Sequence, residues 1–499
     1  MSELLVFSIL AVALAVYSAL PEHRQLRRKF AVKRWQYITA AGLGFSIILL
    51  ALIETYVQAS EPHFTFLCGW ICLPVEVWIQ TAQAGAALVG ISVVGYSFVQ
   101  QRAQVGDDRA LAKLLRGLYS RKEFATLSAL ISELYETLLI DGDSAPQSSS
   151  TAEGLVTDDR FLDHFDELDP ELAGKILRDE GSAVDRQEFA LRYFKRQLSD
   201  QTSLLYYEIE QAQEGGGRYR PEESTVLLWS LLSDCSVAQD VAIWNPVREV
   251  VREHIRSVSA SDPNRYASSN LTSNRPEELY RDCTYVGIRF FDLMASAALT
   301  QQSQHHMWMH YLGHIAETLV EEFELADDAD PSEEFPNDYA RLLYEIHGTL
   351  EQLVRNAASQ NFNGRKAITD PDVSDENDLL KFSLRALLRS HRVTLVSSDV
   401  PDRFKRDRTH SIYELYEELD TSNAQQSDLY AEALLQYMTS VDLRNPVGGK
   451  GQLEYLEETS RHLRTYDTAK LTTGGREQFE EMNKRVSWTI GLLRAFGRP

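Results

Sequence analysis

Three stretches of the chain are apolar enough to cross a bilayer: about Leu4–Leu20, Tyr37–Val57 and Trp78–Gln100. A spanning helix needs roughly 20 apolar residues, and the first stretch is at the short end. Beyond Asp107 the pattern changes, and apolar residues recur three and four apart. Leu111, Leu114, Leu115 and Leu118, then Phe124, Leu127, Leu130, Ile131, Leu134 and Leu138, trace amphipathic helices, because a helix brings i, i+3 and i+4 onto one face. Similar spacing predicts helices over about 158–180, 183–213, 222–258, 276–325, 337–360, 376–398, 410–440, 450–467 and 474–496. No stretch alternates with period two and β-branched enrichment. The expected fold class is all-α, with three N-terminal transmembrane helices followed by a large multi-helix cytoplasmic domain.

Punctuation divides the chain further. Residues 1–102 read as the transmembrane domain and 103–140 as connecting helices. The Ser/Gly/Pro-rich run DGDSAPQSSSTAEG, 141–154, reads as a flexible linker, and 155–499 as a helical sensor domain. The acidic run DDADPSEEFPND, 327–338, reads as a second linker whose spacing misses the EF-hand pattern. NPVGGKGQ, 445–452, lacks the GK[ST] and preceding strand of a phosphate loop and reads as a loop between helices.

Charge fixes an orientation. Arg24, Arg27, Arg28, Lys29, Lys33 and Arg34 follow the first apolar stretch, while its front carries Glu3 and no basic residue. That order is reversed for a signal peptide. By the positive-inside rule these charges place the first loop in the cytoplasm. The N-terminus then lies outside, residues 58–77 are external, and the third span returns inward to Arg102, Arg109, Lys113, Arg116, Arg121 and Lys122. The expected location is the cell inner membrane, multi-pass, with the C-terminal domain cytoplasmic. The external loop contains FTFLCGWICL, 64–73, too short to span and therefore re-entrant or interfacial; Cys68 and Cys72 within it either pair or are two buried thiols.

The first 102 residues carry seven Lys/Arg and five Asp/Glu; from totals of 50 and 73, this leaves 43 basic and 68 acidic residues beyond them. So acidic a surface repels polyanions over most of its area, and a nucleic-acid partner needs a local basic pocket. PDRFKRDR, 401–408, is the densest positive run there, with Arg403, Lys405, Arg406 and Arg408 around Phe404 and with Arg389, His391 and Arg392 upstream. Basic residues interleaved with an aromatic suit phosphate contact and base stacking. A solvated loop whose charges offset neighbouring acids is the plainer reading.

In HHMWMHYLGHIAE, 305–317, His306, His310 and His314 recur every four residues with Glu317 three further on. Two such histidines can share a metal, but each step drifts about 40° around the helix, so three do not easily converge. The expectation is a packed helix face and no metal. Cys235 and Cys283 show no zinc spacing. No nucleophile elbow, kinase signature or dinucleotide fingerprint is present, so neither an enzyme nor a cofactor is expected.

On a helical projection of the third span, Gln80, Gln83, Ala87, Gly90, Val94, Ser97 and Gln101 share one face, polar at both ends with a small apolar waist. Beside it Ala82, Ala86 and Gly90 form a small-xxx-small ridge of the kind that lets membrane helices approach closely. Thr81, Ser92 and Tyr96 make a second polar stripe roughly opposite. Either stripe can turn inward, towards a gated pore or towards the other helices of one subunit. Glu54, near the outer end of the second span, either snorkels to the interface or lines a pathway.

Three spans at 4–20, 37–57 and 78–100 before a large helical domain with one basic run resemble the membrane channel effectors of bacterial anti-phage defence, the Hailong type above all. The resemblance is one of architecture. It implies a homo-oligomeric, ligand-gated channel, in that family a tetramer, held shut by a single-stranded oligodeoxyadenylate made by a partner nucleotidyltransferase. It also implies that the nucleic-acid contact falls on Arg403, Lys405, Arg406 and Arg408. The overall acidity departs from what an extended binding surface needs. The alternative is a membrane-anchored scaffold or regulatory protein that binds a protein partner and conducts nothing.

Overall fold

The structure is a computed structural model. It describes residues 42–43, 45–46, 49–50, 52–56, 65–66, 73–74, 77–86, 89, 107–140, 146–214, 226–262, 264–269, 271, 276–301, 303, 308–359, 379–421, 427–440 and 446–496. Two compact units emerge, Met1–Asp185 and Arg186–Pro499. Apart from one antiparallel pair of two-residue strands, Thr65–Phe66 with Leu73–Pro74, the described residues are helices and their connections, so the fold is all-α. Among the described residues no helix is long and apolar enough to cross a membrane. The first predicted span and much of the second and third lie outside those residues, as do Cys68 and Cys72.

In the first unit, α1 (Asp108–Ser120) buries Leu111, Leu115 and Leu118 and is capped by Asp107, whose carboxylate accepts the Ala110 N–H at 3.0 Å. Helix α2 (Phe124–Glu133) follows, then a π-helical turn at Glu136–Ile140. The stretch expected to be a linker, 141–154, is instead helical from its sixth residue as α3 (Pro146–Val156). Two features correct that reading. Pro146 occupies the first turn, where a missing N–H costs nothing. The Asp108 carboxylate also caps α3 from another helix, accepting the N–H groups of Gln147 and Ser148 at 2.9 and 2.8 Å and the Ser148 hydroxyl at 2.6 Å. The buried Thr151 hydroxyl donates to Gln147 O at 2.7 Å and accepts from Arg116 Nη2 at 3.2 Å. Serine and threonine here are a satisfied helix face rather than linker composition.

The first unit runs on to residue 185. Short helices Asp159–Leu162 and Phe165–Leu168 and helix α4 (Pro170–Arg178) belong to the first unit. Phe161 and Phe165 meet edge-to-face at 5.1 Å, Phe124 lies 5.9 Å from Phe161, and the Tyr119 hydroxyl donates to Asp158 at 2.5 Å.

In the second unit, several predicted helices are broken by their own polar residues. The run 183–213 becomes α5 (Arg186–Ser199) and α6 (Leu204–Glu214). Asp200 draws the chain out of the helix by accepting the Thr202 N–H at 2.9 Å and hydroxyl at 2.7 Å, and Gln197 Oε1 then caps α6 by accepting Leu205 N–H at 3.0 Å. The run 222–258 becomes Val226–Leu232, Cys235–Asp240 and α7 (Trp244–Ser261). Glu208 caps the first of these through the N–H groups of Leu227 and Leu228, at 3.0 and 2.7 Å. The run 276–325 becomes Pro276–Leu279, α8 (Cys283–Thr300) and α9 (Trp308–Glu321). Helices α10 (Asp338–Ser359), α11 (Leu379–Val396), α12 (Asp402–Thr421), α13 (Ser427–Thr439), α14 (Pro446–Leu463) and α15 (Thr473–Phe496) complete it. NPVGGKGQ is thus not an inter-helix loop: α14 starts at its proline.

Helix α8 lies at the centre, packed by α5, α6, Val226–Leu232, Cys235–Asp240, α7, α9 and α10. It is apolar over most of its circumference, as a helix with only a narrow half-buried stripe must be, and buries Val286, Ile288, Phe290, Phe291, Met294 and Leu299. Each such side chain contributes about 1.5–3 kcal/mol. Its first turn is capped by the buried Asp282, which accepts N–H groups from Thr284 and Tyr285 at 2.9 and 3.0 Å and the Tyr266 hydroxyl at 2.6 Å. Buried Cys235 and Cys283 are free thiols whose pKa values burial pushes up to about 12, which keeps them protonated and unreactive.

The α7–α8 crossing allows no side chain at Gly287, where a Cβ would stand 2.4 Å from Val251 Cγ2. Gly287→Ala is expected to cost about 1–3 kcal/mol by overpacking, read as a lower urea midpoint. Combining it with Val251→Ala should cost less than the sum of the two single changes. Strict additivity would show that the helices separate freely at this point.

Candidate functional site

Of the polar stripe predicted on the third span, Ala87, Gly90, Val94, Ser97 and Gln101 lie outside the described residues, as do Ser92 and Tyr96 of the opposite stripe. Gln80 and Gln83 sit on the helical stretch 77–86 and converge on Glu54, in the helical stretch 52–56. Gln80 Nε2 donates to Glu54 Oε1 at 3.1 Å and Gln83 Nε2 to Glu54 Oε2 at 3.2 Å. Gln83 is buried and its Oε1 finds no acceptor's partner in the described structure. Thr81 differs, because its hydroxyl donates to Val77 O of its own helix at 2.7 Å. Here Gln80 and Gln83 face the Glu54 helix. The sequence held one signal for this node: Glu54 lies near the C-terminal end of the second apolar stretch, and Gln80 and Gln83 lie near the N-terminal end of the third.

The basic run is the start of α12, not a loop. At 100° per residue its four cations point around the helix rather than to one side. Arg403 donates to Ser332 O in the acidic connection before α10, and its Nε lies 3.8 Å from Asp407; Arg406 Nε also meets Asp407, at 3.4 Å. Lys405 is buried, and burial pushes its ammonium pKa down. Upstream, Arg389 holds Glu317 with contacts of 2.7 and 2.9 Å. The run is therefore largely neutralised, and only one of its members stands apart.

That member is Arg408. Its guanidinium lies 4.5 Å from the ring centre of Tyr344 and 5.6 Å from that of Phe404, its Nε is buried without a partner, and it makes no hydrogen bond or ion pair to a described carboxylate. It faces a cavity of about 370 Å³ between α10 and α12, lined also by Tyr344, His410, Ser411 and three carboxylates, Glu351, Asp407 and Glu414. Ser411 donates to Glu351 Oε1 at 2.7 Å; burial raises the Glu351 pKa, while Ser411 and Arg408 pull it back. Tyr344, Glu351 and Ser411 escaped sequence reasoning, since only the α10–α12 packing brings them to Arg408.

Next to Arg408 lie two buried histidines. His391 Nδ1 contacts the Tyr455 hydroxyl at 3.0 Å and Nε2 the Thr409 hydroxyl at 3.5 Å. Burial first, then the positive fields of Arg408 and His462, bring the His391 pKa down to about 3. Burial, Arg408 and His391 together hold His347 well below the usual imidazole value.

In the histidine stripe, His306 lies outside the described residues. His310 and His314 meet through Nε2 atoms 3.1 Å apart, and His314 Nδ1 lies 3.2 Å from Glu317, which Arg389 also holds. Burial and the Arg389 charge lower both imidazole pKa values, so the pair sits in a field unfavourable to a cation. Among the described residues no three metal-ligating groups cluster.

Stability should depend on pH with a definite sign. His391 titrates near 3 when folded and near 6.5 when unfolded, so the unfolded chain binds the proton first. This stability is present above pH 6.5 and is lost as pH falls from 6.5 towards 3. Each such histidine adds up to about 1.4 kcal/mol per pH unit inside that window. Urea midpoints of the full chain should therefore drop between pH 7 and 5. A flat profile would mean that these imidazoles reach water.

No protein-family model, curated protein or solved structure matches the chain.

Proposed function

We propose that this chain is a membrane-anchored effector: a ligand-gated channel of the anti-phage-defence kind, multi-pass in the inner membrane with its N-terminus outside, whose helical cytoplasmic domain senses a nucleotide or oligonucleotide. The observation that carries the reading is the Glu54–Gln80–Gln83 node. A carboxylate and two amides between apolar helices are costly in a bilayer unless they face protein or water. The Gln83 carbonyl, without a donor among the described residues, has room for one more, which a sister subunit of a homo-oligomer or water in a pathway supplies. On the cytoplasmic side, Arg408 is the ligand contact, a cation backed by an aromatic ring and free to take an anionic group. The ligand would be a single-stranded oligonucleotide from a partner nucleotidyltransferase.

A second reading, a membrane-anchored scaffold or regulator that binds a protein partner without conducting, draws on the same structure. Arg403 and Arg406 share Asp407, and Lys405 is buried, so this run offers no continuous basic track to a polyanion.

Two measurements separate these readings. Expressed without any partner that supplies an inhibitor, the chain should depolarise bacterial cells, and Glu54→Gln or Gln83→Leu should reduce this at equal membrane abundance. Absence of depolarisation by the parent chain selects the scaffold reading, and unchanged depolarisation in both variants removes the node from the pathway. Titrated with a short single-stranded oligonucleotide, Arg408→Ala should weaken binding about tenfold or more, the size of a charge-assisted hydrogen bond, with Arg403→Ala and Arg406→Ala changing it less. Equal losses in all three would indicate a diffuse surface rather than the cavity.

A further inference from the structure

A second cavity, of about 500 Å³, opens in the Arg186–Pro499 unit where α6 faces the turn after Pro276–Leu279. Its walls are Tyr206, Tyr207 and Tyr280, and its charges are Glu210 and Arg281. None of these residues belongs to the basic run or the histidine stripe.

The tyrosine hydroxyls are already committed. Tyr206 donates to Leu198 O at 3.0 Å, the Tyr207 hydroxyl accepts from Gln211 Nε2 at 2.5 Å, and that of Tyr280 is engaged with Tyr285. Tyr280 is further fixed by an edge-to-face contact with Tyr285, at 5.4 Å and 81°. What the cavity offers is therefore ring faces held in place, and Tyr207 is 57% exposed, among the most exposed large apolar-bodied side chains of this unit. Glu210 and Arg281 line the same space without pairing to each other, and Arg281 makes no ion pair with any described carboxylate. In a chain with 73 acidic and 50 basic residues, an arginine beside an aromatic wall that pairs with no described carboxylate is a position open to an anion from outside.

We infer that this cavity binds a small planar aromatic ligand carrying one anionic group, stacked on Tyr207 and Tyr280, with its anion on Arg281 and an N–H of its ring system, endocyclic or exocyclic, directed to Glu210. The lining is mixed polar and apolar, and the size falls within the range of small-molecule sites. A nucleoside monophosphate and an indole carboxylate share this chemistry, and the experiment distinguishes them.

The test uses the purified full chain in detergent, titrated by calorimetry with adenosine monophosphate, indole-3-acetate, adenosine and inorganic phosphate. Saturable binding of one or both aromatic anions, tighter than adenosine or phosphate alone, is expected and names the source. Arg281→Ala should weaken the aromatic anion about tenfold while leaving adenosine unchanged. Tyr207→Ala should weaken both anion and nucleoside by a similar factor, with unaltered melting showing that each variant is folded. If none of the four probes saturates the parent chain, or if the aromatic anions bind both variants as tightly as the parent, the inference is overturned.

Discussion

Helix α8 is buried except along a narrow stripe at Arg289, Asp292 and Ser296, and the second unit is organised by that constraint. A polar group on so buried a helix must be met by the helices around it, because an unmet one costs about 1–3 kcal/mol. Arg289 is the demanding case. Its Nε donates to the Tyr285 hydroxyl at 3.0 Å, Nη1 to Asp292 at 3.3 Å, and Nη2 to Glu345 of α10 at 2.9 Å, while Arg341 meets Glu345 from the other side at 2.7 Å. Asp282 does the same work at the helix start through Tyr266. The apolar packing brings the helices together without direction. These bonds fix where along α8 its neighbours sit, and so where α10 stands when it meets α12.

Charge is distributed on the same principle. The chain is strongly acidic, and arginines are tied to acids: Arg355 to Glu418, Arg461 to Asp402 and Glu458, Arg485 to Glu432 and Glu481, Arg494 to Glu457. Exposed pairs of this kind contribute little stability each, but they leave few guanidinium groups available. Arg408 and Arg281 are two that line cavities with no described carboxylate paired to them. Their significance comes from that background; in a basic protein neither would stand out.

Periodicity made the all-α class legible, because burial of one face repeats every three to four residues whatever the tertiary arrangement. Breaks were less legible. The helix read across 183–213 stops at Asp200 because a side chain competes for the backbone, while the serine-rich segment at 146–156 is a helix because Asp108, distant in sequence, caps it. Composition describes neither event, since both depend on which group reaches which N–H. The basic run shows the same limit at the candidate site. Its residue types were visible, but whether four cations make a surface depends on their angles around α12 and on acids from elsewhere. Only Arg408 survived that test, and its companions Tyr344, Glu351 and Ser411 had no local signature.

The position of Arg408 couples two properties that sequence would treat separately. Its unpaired charge is one of the reasons His347 and His391 remain neutral. An anion bound to the guanidinium cancels part of that field, so both imidazoles become easier to protonate. Linkage is reciprocal: whatever the anion does to proton affinity, protons do to anion affinity. Acidification must therefore favour the anion-bound form of the cavity even as it lowers the stability of the empty one. The sign follows from the field of Arg408, which lowers the proton affinity of both imidazoles.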